Sequence, residues 1–141
     1  MAEKQLEIFL ITPDATEREK YKYQGMANMV ILRCRTGDMG ILPGRVACSA
    51  ILDEGILRIL GDETERRIAV LGGVFHFEND VLTLISQKAL LPSEIDINAV
   101  EAQIRENEAR KSSETNITAK DKIRAELSRL KLLLDVAVQT K

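Results

Sequence analysis

Residues 74–85 read Val-Phe-His-Phe-Glu-Asn-Asp-Val-Leu-Thr-Leu-Ile. Two short runs rich in β-branched and aromatic residues flank Asn79-Asp80, which predicts a β-hairpin with a slightly atypical turn pair. Similar apolar runs precede this hairpin and predict further strands of ordinary length. They are Gln5–Ile11, Met29–Arg35 and Arg66–Leu71, the last of which is expected to end at Gly72-Gly73.

These runs are separated by glycine, a residue that favours turns. The glycines lie at positions 25, 37, 40, 44, 55, 61, 72 and 73. No long helical pattern lies between the predicted strands. The first part of the chain is therefore expected to form an antiparallel β-sandwich or barrel rather than a parallel sheet.

The composition changes past Pro92. Glycine is absent from 91–141, and Ala, Glu, Lys, Arg and Leu, which favour helices, become frequent. This change predicts a β domain over 1–91 and a helical domain over 92–141. Asp96 is the expected N-cap of a first helix that runs from about Ile97 to Lys111. The residues on its apolar face are Ile97, Val100 and Ile104.

A second helix is predicted after the polar turn 112–116. Thr118 and Asp121 resemble a capping box, with Asp in place of the usual Glu. Apolar residues then recur at spacings of four and three, which is typical of a narrow seam between two helices. These residues are Ile123, Leu127, Leu130, Leu134 and Ala137. We expect an antiparallel helical hairpin whose docked state is only marginally stable, because it buries little apolar area.

Charge and composition exclude several classes of partner. The chain has 141 residues, and its 20 basic and 22 acidic residues give a net charge of −2. This charge supplies no general attraction for nucleic acid or anionic lipid. The sequence has no apolar run of the roughly 18 residues that a membrane helix needs and no signal-peptide pattern at its start. Cys34 and Cys48 are expected to be reduced structural thiols.

Few residues suggest catalysis. His76 is the one histidine, there is no glycine-rich phosphate loop, and there is no Cys-x-x-Cys pair. The sequence predicts no catalytic residue and no metal site, and His76 is expected to be a polar residue on the hairpin. An enzyme would be favoured if His76 were exposed beside two carboxylates in one cleft.

Basic residues cluster in the helical part, where two interpretations stay open. They could bind an acidic surface of a partner, or they could be solvated residues that pair with Glu114 and Glu126. Charge alone does not choose between these interpretations. The residues are Arg110, Lys111, Lys120, Lys122, Arg124, Arg129 and Lys131.

Residues 36–45 read Thr-Gly-Asp-Met-Gly-Ile-Leu-Pro-Gly-Arg. This segment resembles the Gly-acid-x-Gly-Ile-x-Pro-Gly-His signature of the epsilon subunits of F-type ATP synthases. Gly40, Pro43 and Gly44 are expected to form a tight loop whose backbone can approach another surface. The resemblance continues through 55–59 and 68–75 and covers essentially the whole chain, although it weakens in the tail.

The resemblance implies a non-catalytic central-stalk subunit without a cofactor, which couples ion translocation to ATP synthesis. It implies a sandwich of about ten strands that binds the gamma subunit and contacts the c-ring through Arg35, Thr36, Gly37 and Asp38. The helical hairpin would extend toward the alpha and beta subunits and inhibit ATP hydrolysis. The expected location is the cytoplasmic face of the bacterial plasma membrane, with the chloroplast thylakoid as the alternative and with membrane association only through the complex.

Two positions depart from the family pattern. Many members carry Ile/Leu-Asp-x-x-Arg-Ala at an ATP site, but the expected arginine is Ala99 here, which removes the charge and fork geometry that suit phosphate. This difference counts against the alternative function, a nucleotide-sensing module. Arg45 stands where the family usually has histidine. The residues to test for ATP binding are Glu94, Ile95, Asp96, Arg105 and Arg124.

Overall fold

The chain forms two compact units, one ending at Ala89 and the other beginning at Leu90. The computed structural model describes residues 4–14 and 21–138. Residues 1–3, on which the expectation of no signal peptide partly rests, lie outside this range, as do 15–20 and 139–141.

In the part that the structure describes, the first unit is an eight-stranded sheet that forms a β-sandwich, as the sequence predicts. The strands run in the spatial order β2-β1-β7-β6-β5-β3-β4, with β8 beside β6. All neighbours along this order are antiparallel except β1 and β7, which are parallel. The strands are β1 Leu6–Ile11, β2 Tyr23–Ala27, β3 Met29–Cys34, β4 Gly37–Ile41, β5 Cys48–Leu60, β6 Glu65–Glu78, β7 Val81–Ile85 and β8 Ala89–Leu90.

Aliphatic and aromatic side chains from nearly every strand fill the core of this sheet. Burial of this apolar surface is the main favourable term in folding. The largest fully buried side chains are Phe75, Phe77, Leu6, Ile8, Leu10, Leu32, Ile41, Leu57, Ile68, Leu82, Leu84 and Val30.

Strand β6 corrects one expectation, because it continues through Gly72-Gly73 instead of ending there. Its buried side chains change side at this point, from Ile68 and Val70 to Phe75 and Phe77. Both glycines have positive φ, at 84° and 132°, and so allow a local turn of the backbone without breaking the strand. One long strand therefore replaces two predicted short ones, and the eight strands of the described residues are near the ten that the resemblance implies.

The hairpin of residues 74–85 is confirmed. Val74 pairs with Ile85 and Glu78 pairs with Val81 across the β6–β7 turn. Asn79 and Asp80 both have positive φ, at 51° and 61°. Positive φ at both central residues is characteristic of a type I′ turn, which matches the twist of the two strands.

The segment 36–45 is not the single tight loop that the sequence suggests. Its first part forms β4, which pairs with β3 from Val30–Ile41 to Cys34–Gly37. Gly25, Gly40 and Gly55 also lie inside strands and not at turns. At Gly55 a Cβ would collide with Arg33, so the glycine there permits close approach between β3 and β5.

The second unit is a helical hairpin of α1 Ile97–Ser113 and α2 Ile117–Val138, preceded by a 3₁₀ turn at Pro92–Glu94. The Asp96 carboxylate accepts from Ala99 N–H at 3.2 Å, which confirms Asp96 as the N-cap. Helix α1 is two residues longer than predicted. The buried side chains of the unit are Val100 and Asn107 in α1, and Ile123, Leu127, Leu130 and Val136 in α2.

The start of α2 differs from the prediction. The Asn116 side chain accepts from the N–H groups of Thr118 and Ala119, so Asn116 is the N-cap and Thr118 already lies in the helix. The seam is also different: Leu134 is only half-buried, and Ile97 in α1 is exposed. Asn107 was missed because a polar residue does not contribute to an apolar pattern.

Candidate functional site

His76 lies on the outer face of β6 in a row of three hydrogen-bonded side chains. Its Nδ1 is 2.6 Å from Ser49 Oγ, and its Nε2 is 3.1 Å from Glu78 Oε2. Ser49 lies directly opposite His76 on β5. Among the described residues, one carboxylate lies beside His76, whereas an enzyme would be favoured by two carboxylates beside it in one cleft.

An exposed apolar row crosses the same face. Ile51 pairs with Val74, and Val74 pairs with Ile85, so the three side chains follow one another across β5, β6 and β7. Their exposed fractions are 51%, 47% and 51%. We call these three residues the apolar row. Along each strand, these residues alternate with residues that face the other side of the sheet. Only the pairing of the strands brings the three side chains together.

A groove of about 380 Å³ lies along the apolar row. Ser49, His76 and Thr83 also line it. The face continues onto β1, where Phe9 pairs with Thr83 and packs against Tyr21 at 4.8 Å between ring centroids. Large exposed apolar patches on sheets commonly mark interaction sites.

The four residues predicted to contact the c-ring lie together at the β3–β4 turn. Arg35 and Thr36 form the turn and are exposed, and Gly37 begins β4 with φ at 122°. Asp38 is exposed and pairs with Arg33 at 3.5 Å. The turn thus presents adjacent basic, hydroxyl and acidic groups to solvent.

The glycine-proline motif continues after β4. Gly44 has φ at 86°, and its N–H donates to Asp80 Oδ1 at 2.6 Å, which ties this loop to the β6–β7 turn. Arg45 donates to Gly40 O at 3.4 Å. Leu42 and Val46 flank the motif with exposed fractions of 54% and 81%. The loop that contains Pro43 and Gly44 therefore exposes the side chains of Leu42 and Val46 next to the guanidinium of Arg45.

The basic residues of the helices do not form one cluster. Lys120, Arg124 and Lys131 are spaced by four and seven and share one face of α2, whereas Lys122 and Arg129 share another. Arg110 and Lys111 lie in the last turn of α1, where cations favourably oppose the helix dipole.

Two of these basic residues have partners other than those expected. Arg124 pairs with Asp121 at 3.4 Å, and Lys131 pairs with Glu108 at 3.8 Å. Both pairs are exposed and contribute little to stability. Glu114 instead accepts from the backbone N–H groups of Thr115 and Asn116.

The candidate ATP residues are mostly engaged locally. Asp96 caps α1, and Glu94 accepts from Leu91 N–H at 2.9 Å. Phosphate binds readily at helix N-termini, but here a carboxylate already occupies the first-turn amides and would repel it. Ile95 is half-buried and Arg105 is exposed, whereas Arg124 pairs with Asp121 within α2.

Two titratable groups of the sheet have shifted pKa values. The hydrogen bond from Arg58 lowers the pKa of Glu65, and Arg67 contributes a further attraction. Burial raises the pKa of the Cys34 thiol, which makes it a poorer nucleophile. Both cysteines are free. Over residues 4–14 and 21–138, no group of three or more His, Cys, Asp or Glu could hold a metal.

Neither described helix is long and apolar enough to span a membrane.

The family model for the beta-sandwich domain of the ATP synthase delta/epsilon chain matches residues 9–92. The ATP synthase epsilon chain of Synechococcus sp. strain WH7803 is 37% identical over 75% of this chain and 79% of its own. That of Alkalihalophilus pseudofirmus is 33% identical over 77% of each. Other cyanobacterial relatives are matched over shorter lengths, such as 61% of the epsilon chain of Synechococcus sp. strain CC9902.

Solved structures show the same fold. A chain of the Euglena gracilis mitochondrial ATP synthase, in an assembly of OSCP, F1 and c-ring, superposes with a TM-score of 0.73 at 21% identity, over 96% of this chain and 82% of that one. A chain from the central stalk and c-ring of the Tetrahymena thermophila enzyme superposes with a TM-score of 0.57 at 13% identity, over 97% and 99%. The sequence matches show that this chain belongs to the ATP synthase epsilon chain family, whose members are non-catalytic subunits of the stalk.

Proposed function

We propose that this chain binds the gamma subunit and the c-ring through its sheet unit and inhibits ATP hydrolysis through its helical hairpin. The observation that carries the proposal is the match of residues 9–92 to the delta/epsilon sandwich domain. The geometry of three surfaces supports it, one for each partner.

The apolar row is the proposed gamma contact. Ile51, Val74 and Ile85 are about half exposed although they lie in the centre of a sheet. Covering these side chains with a partner would remove apolar surface from water. The groove beside them can receive side chains from a neighbouring subunit.

The β3–β4 turn is the proposed c-ring contact. Arg35, Thr36 and Asp38 are exposed there, and β4 pairs with β3 immediately after the turn. A turn held by a strand pair presents its side chains in a fixed direction, which suits a contact that must transmit torque. Through this contact the subunit is peripheral to the membrane, and we propose the cytoplasmic face of a bacterial plasma membrane as its location.

The hairpin is the proposed inhibitory element. Its basic residues lie on more than one face of α2, and their observed ion pairs are exposed and weak. An acidic surface on the alpha and beta subunits could therefore replace these partners at small cost. The two helices are joined by the short segment 114–116, so the hairpin can move as one element.

The test is ATP hydrolysis by the reconstituted catalytic head with the full chain and with a chain that ends at Ser93. Both chains are first adjusted to equal occupancy of the head. We expect the shortened chain to give several-fold faster hydrolysis. Equal rates at equal occupancy would contradict inhibition while leaving the proposed role of the sheet intact.

A charge variant refines this test. Lys120, Arg124 and Lys131 share one face of α2, so their combined replacement by Gln removes one basic face without shortening the helix. The matched control replaces Lys122 and Arg129 by Gln on the other face. Loss of inhibition with only one of the two variants identifies the face that binds the head.

A further inference from the structure

The sheet face that carries the apolar row also carries a polar row, Ser49, His76 and Glu78. A neutral imidazole has one donor and one acceptor nitrogen. The distances fit one such arrangement, in which Ser49 O–H donates to Nδ1 at 2.6 Å and Nε2–H donates to Glu78 Oε2 at 3.1 Å. Glu78 Oε1 has no hydrogen bond to any described residue, and the Glu78 side chain is 58% exposed.

The fixed charges around this polar row are acidic. Glu7 and Glu78 both pair with Val81 from opposite sides, and Asp53 is the next outward residue after Ile51 on β5. Ser49 and Thr83, the cross-strand neighbours of His76, are uncharged. Asp80 in the adjoining turn is hydrogen-bonded to Gly44 N–H. The basic residues of β5 and β6, Arg58, Arg66 and Arg67, lie at the other end of this strand pair, where Arg58 and Arg67 pair with Glu65.

Charge complementarity therefore indicates what binds in the groove. We infer that the gamma subunit inserts a basic side chain that donates to Glu78 Oε1, while aliphatic neighbours on the same gamma segment pack on Ile51, Val74 and Ile85. This inference rests on the proposed binding of gamma to the apolar row. A charge-assisted hydrogen bond to a carboxylate is among the stronger polar contacts at an interface.

The experiment measures the affinity of the full chain, labelled with a fluorophore, for a catalytic head that contains gamma but lacks this subunit. The same titration on alpha and beta subunits without gamma is the control for the partner. Affinity is measured at low and at high salt. The variants are Glu78→Gln and, as a matched acidic control on the same unit, Glu63→Gln. Thermal melts confirm that each variant is folded.

At low salt, we expect Glu78→Gln to weaken binding about tenfold and to reduce the salt dependence of binding. Glu63→Gln should match the unchanged chain throughout.

The outcomes separate the two proposals. If the unchanged chain binds equally well with and without gamma in the head, the proposed gamma contact is wrong. If binding requires gamma but Glu78→Gln matches Glu63→Gln at every salt concentration, the basic side chain in the groove is disproved and the gamma contact stands.

Discussion

Gly73 is a single residue on which the path of β6 depends. Its φ of 132° is unfavourable for other residues, and an added Cβ would collide with Ile85 O and lie 3.0 Å from Ser86 Cα. Gly72, with φ of 84°, has only Leu52 O near its Cβ position, at 3.9 Å. The two neighbours therefore separate the cost of backbone conformation from the cost of a collision.

We expect Gly73→Ala to lower the free energy of unfolding by roughly 3 kcal/mol or more, because both costs apply. Gly72→Ala should lower it by about 1–2 kcal/mol, from backbone conformation alone. Urea unfolding followed by circular dichroism measures both. If both variants lose the same free energy of unfolding, the atoms around Gly73 shift enough to relieve the collision with Ile85 O.

Glu65 makes the stability of the sheet depend on acidic pH. The hydrogen bond from Arg58 at 2.6 Å holds the pKa of Glu65 below its usual value of 4.5. A carboxyl whose pKa is lower in the folded state stabilises the fold above its unfolded pKa. That contribution is lost as pH falls through the lowered folded pKa.

At neutral pH, Glu65→Gln should reduce the free energy of unfolding by about 1 kcal/mol, a modest value because the pair is partly exposed. The difference from the unchanged chain should vanish at pH values below the folded pKa of Glu65. Urea unfolding across this pH range tests the expectation, with Glu63→Gln as the control. A difference that persists in acid would point to a contact other than the ion pair.

At the scale of elements, the start of α2 depends on Asn116. Its side chain satisfies two first-turn N–H groups, those of Thr118 at 2.9 Å and Ala119 at 3.2 Å. Replacing such a cap by alanine costs about 1 kcal/mol. We expect Asn116→Ala to cost this amount and Thr118→Ala to cost much less, as measured by the thermal melting of helical circular dichroism. A larger cost for Thr118→Ala than for Asn116→Ala would instead indicate that Thr118 caps the helix through the predicted capping box.

The elements also show where sequence patterns succeed. The hairpin of residues 74–85 and the cap at Asp96 depend on neighbours within a few residues, so the sequence predicted both. The sequence predicted two separate strands on either side of Gly72-Gly73, because a pair of glycines usually marks a turn. Inside this sheet, Leu52 pairs with Gly73 and Glu54 with Leu71 on either side of the kink, and this long-range pairing keeps the strand continuous.

At the scale of the whole molecule, the sheet unit contains a core of its own. Its largest fully buried side chains extend from Leu6 to Leu84, and none belongs to the helices. We therefore expect a chain ending at Ser93 to keep its β-type circular dichroism and to melt in one cooperative transition. If the chain that ends at Ser93 is unfolded or aggregated, the sheet requires the helical unit. The hydrolysis test would then use point variants of the full chain instead.

The sequence by itself determined the class of the protein. Alternating strands followed by helix-favouring residues predicted the sandwich and the helical hairpin, and residues 36–45 indicated the family, because these signals are local. Only the tertiary structure placed Ile51, Val74 and Ile85 in one row and joined Ser49, His76 and Glu78. Residues 51 and 85 are far apart in the chain, and strand register, set by burial of the opposite face, decides which outward side chains meet.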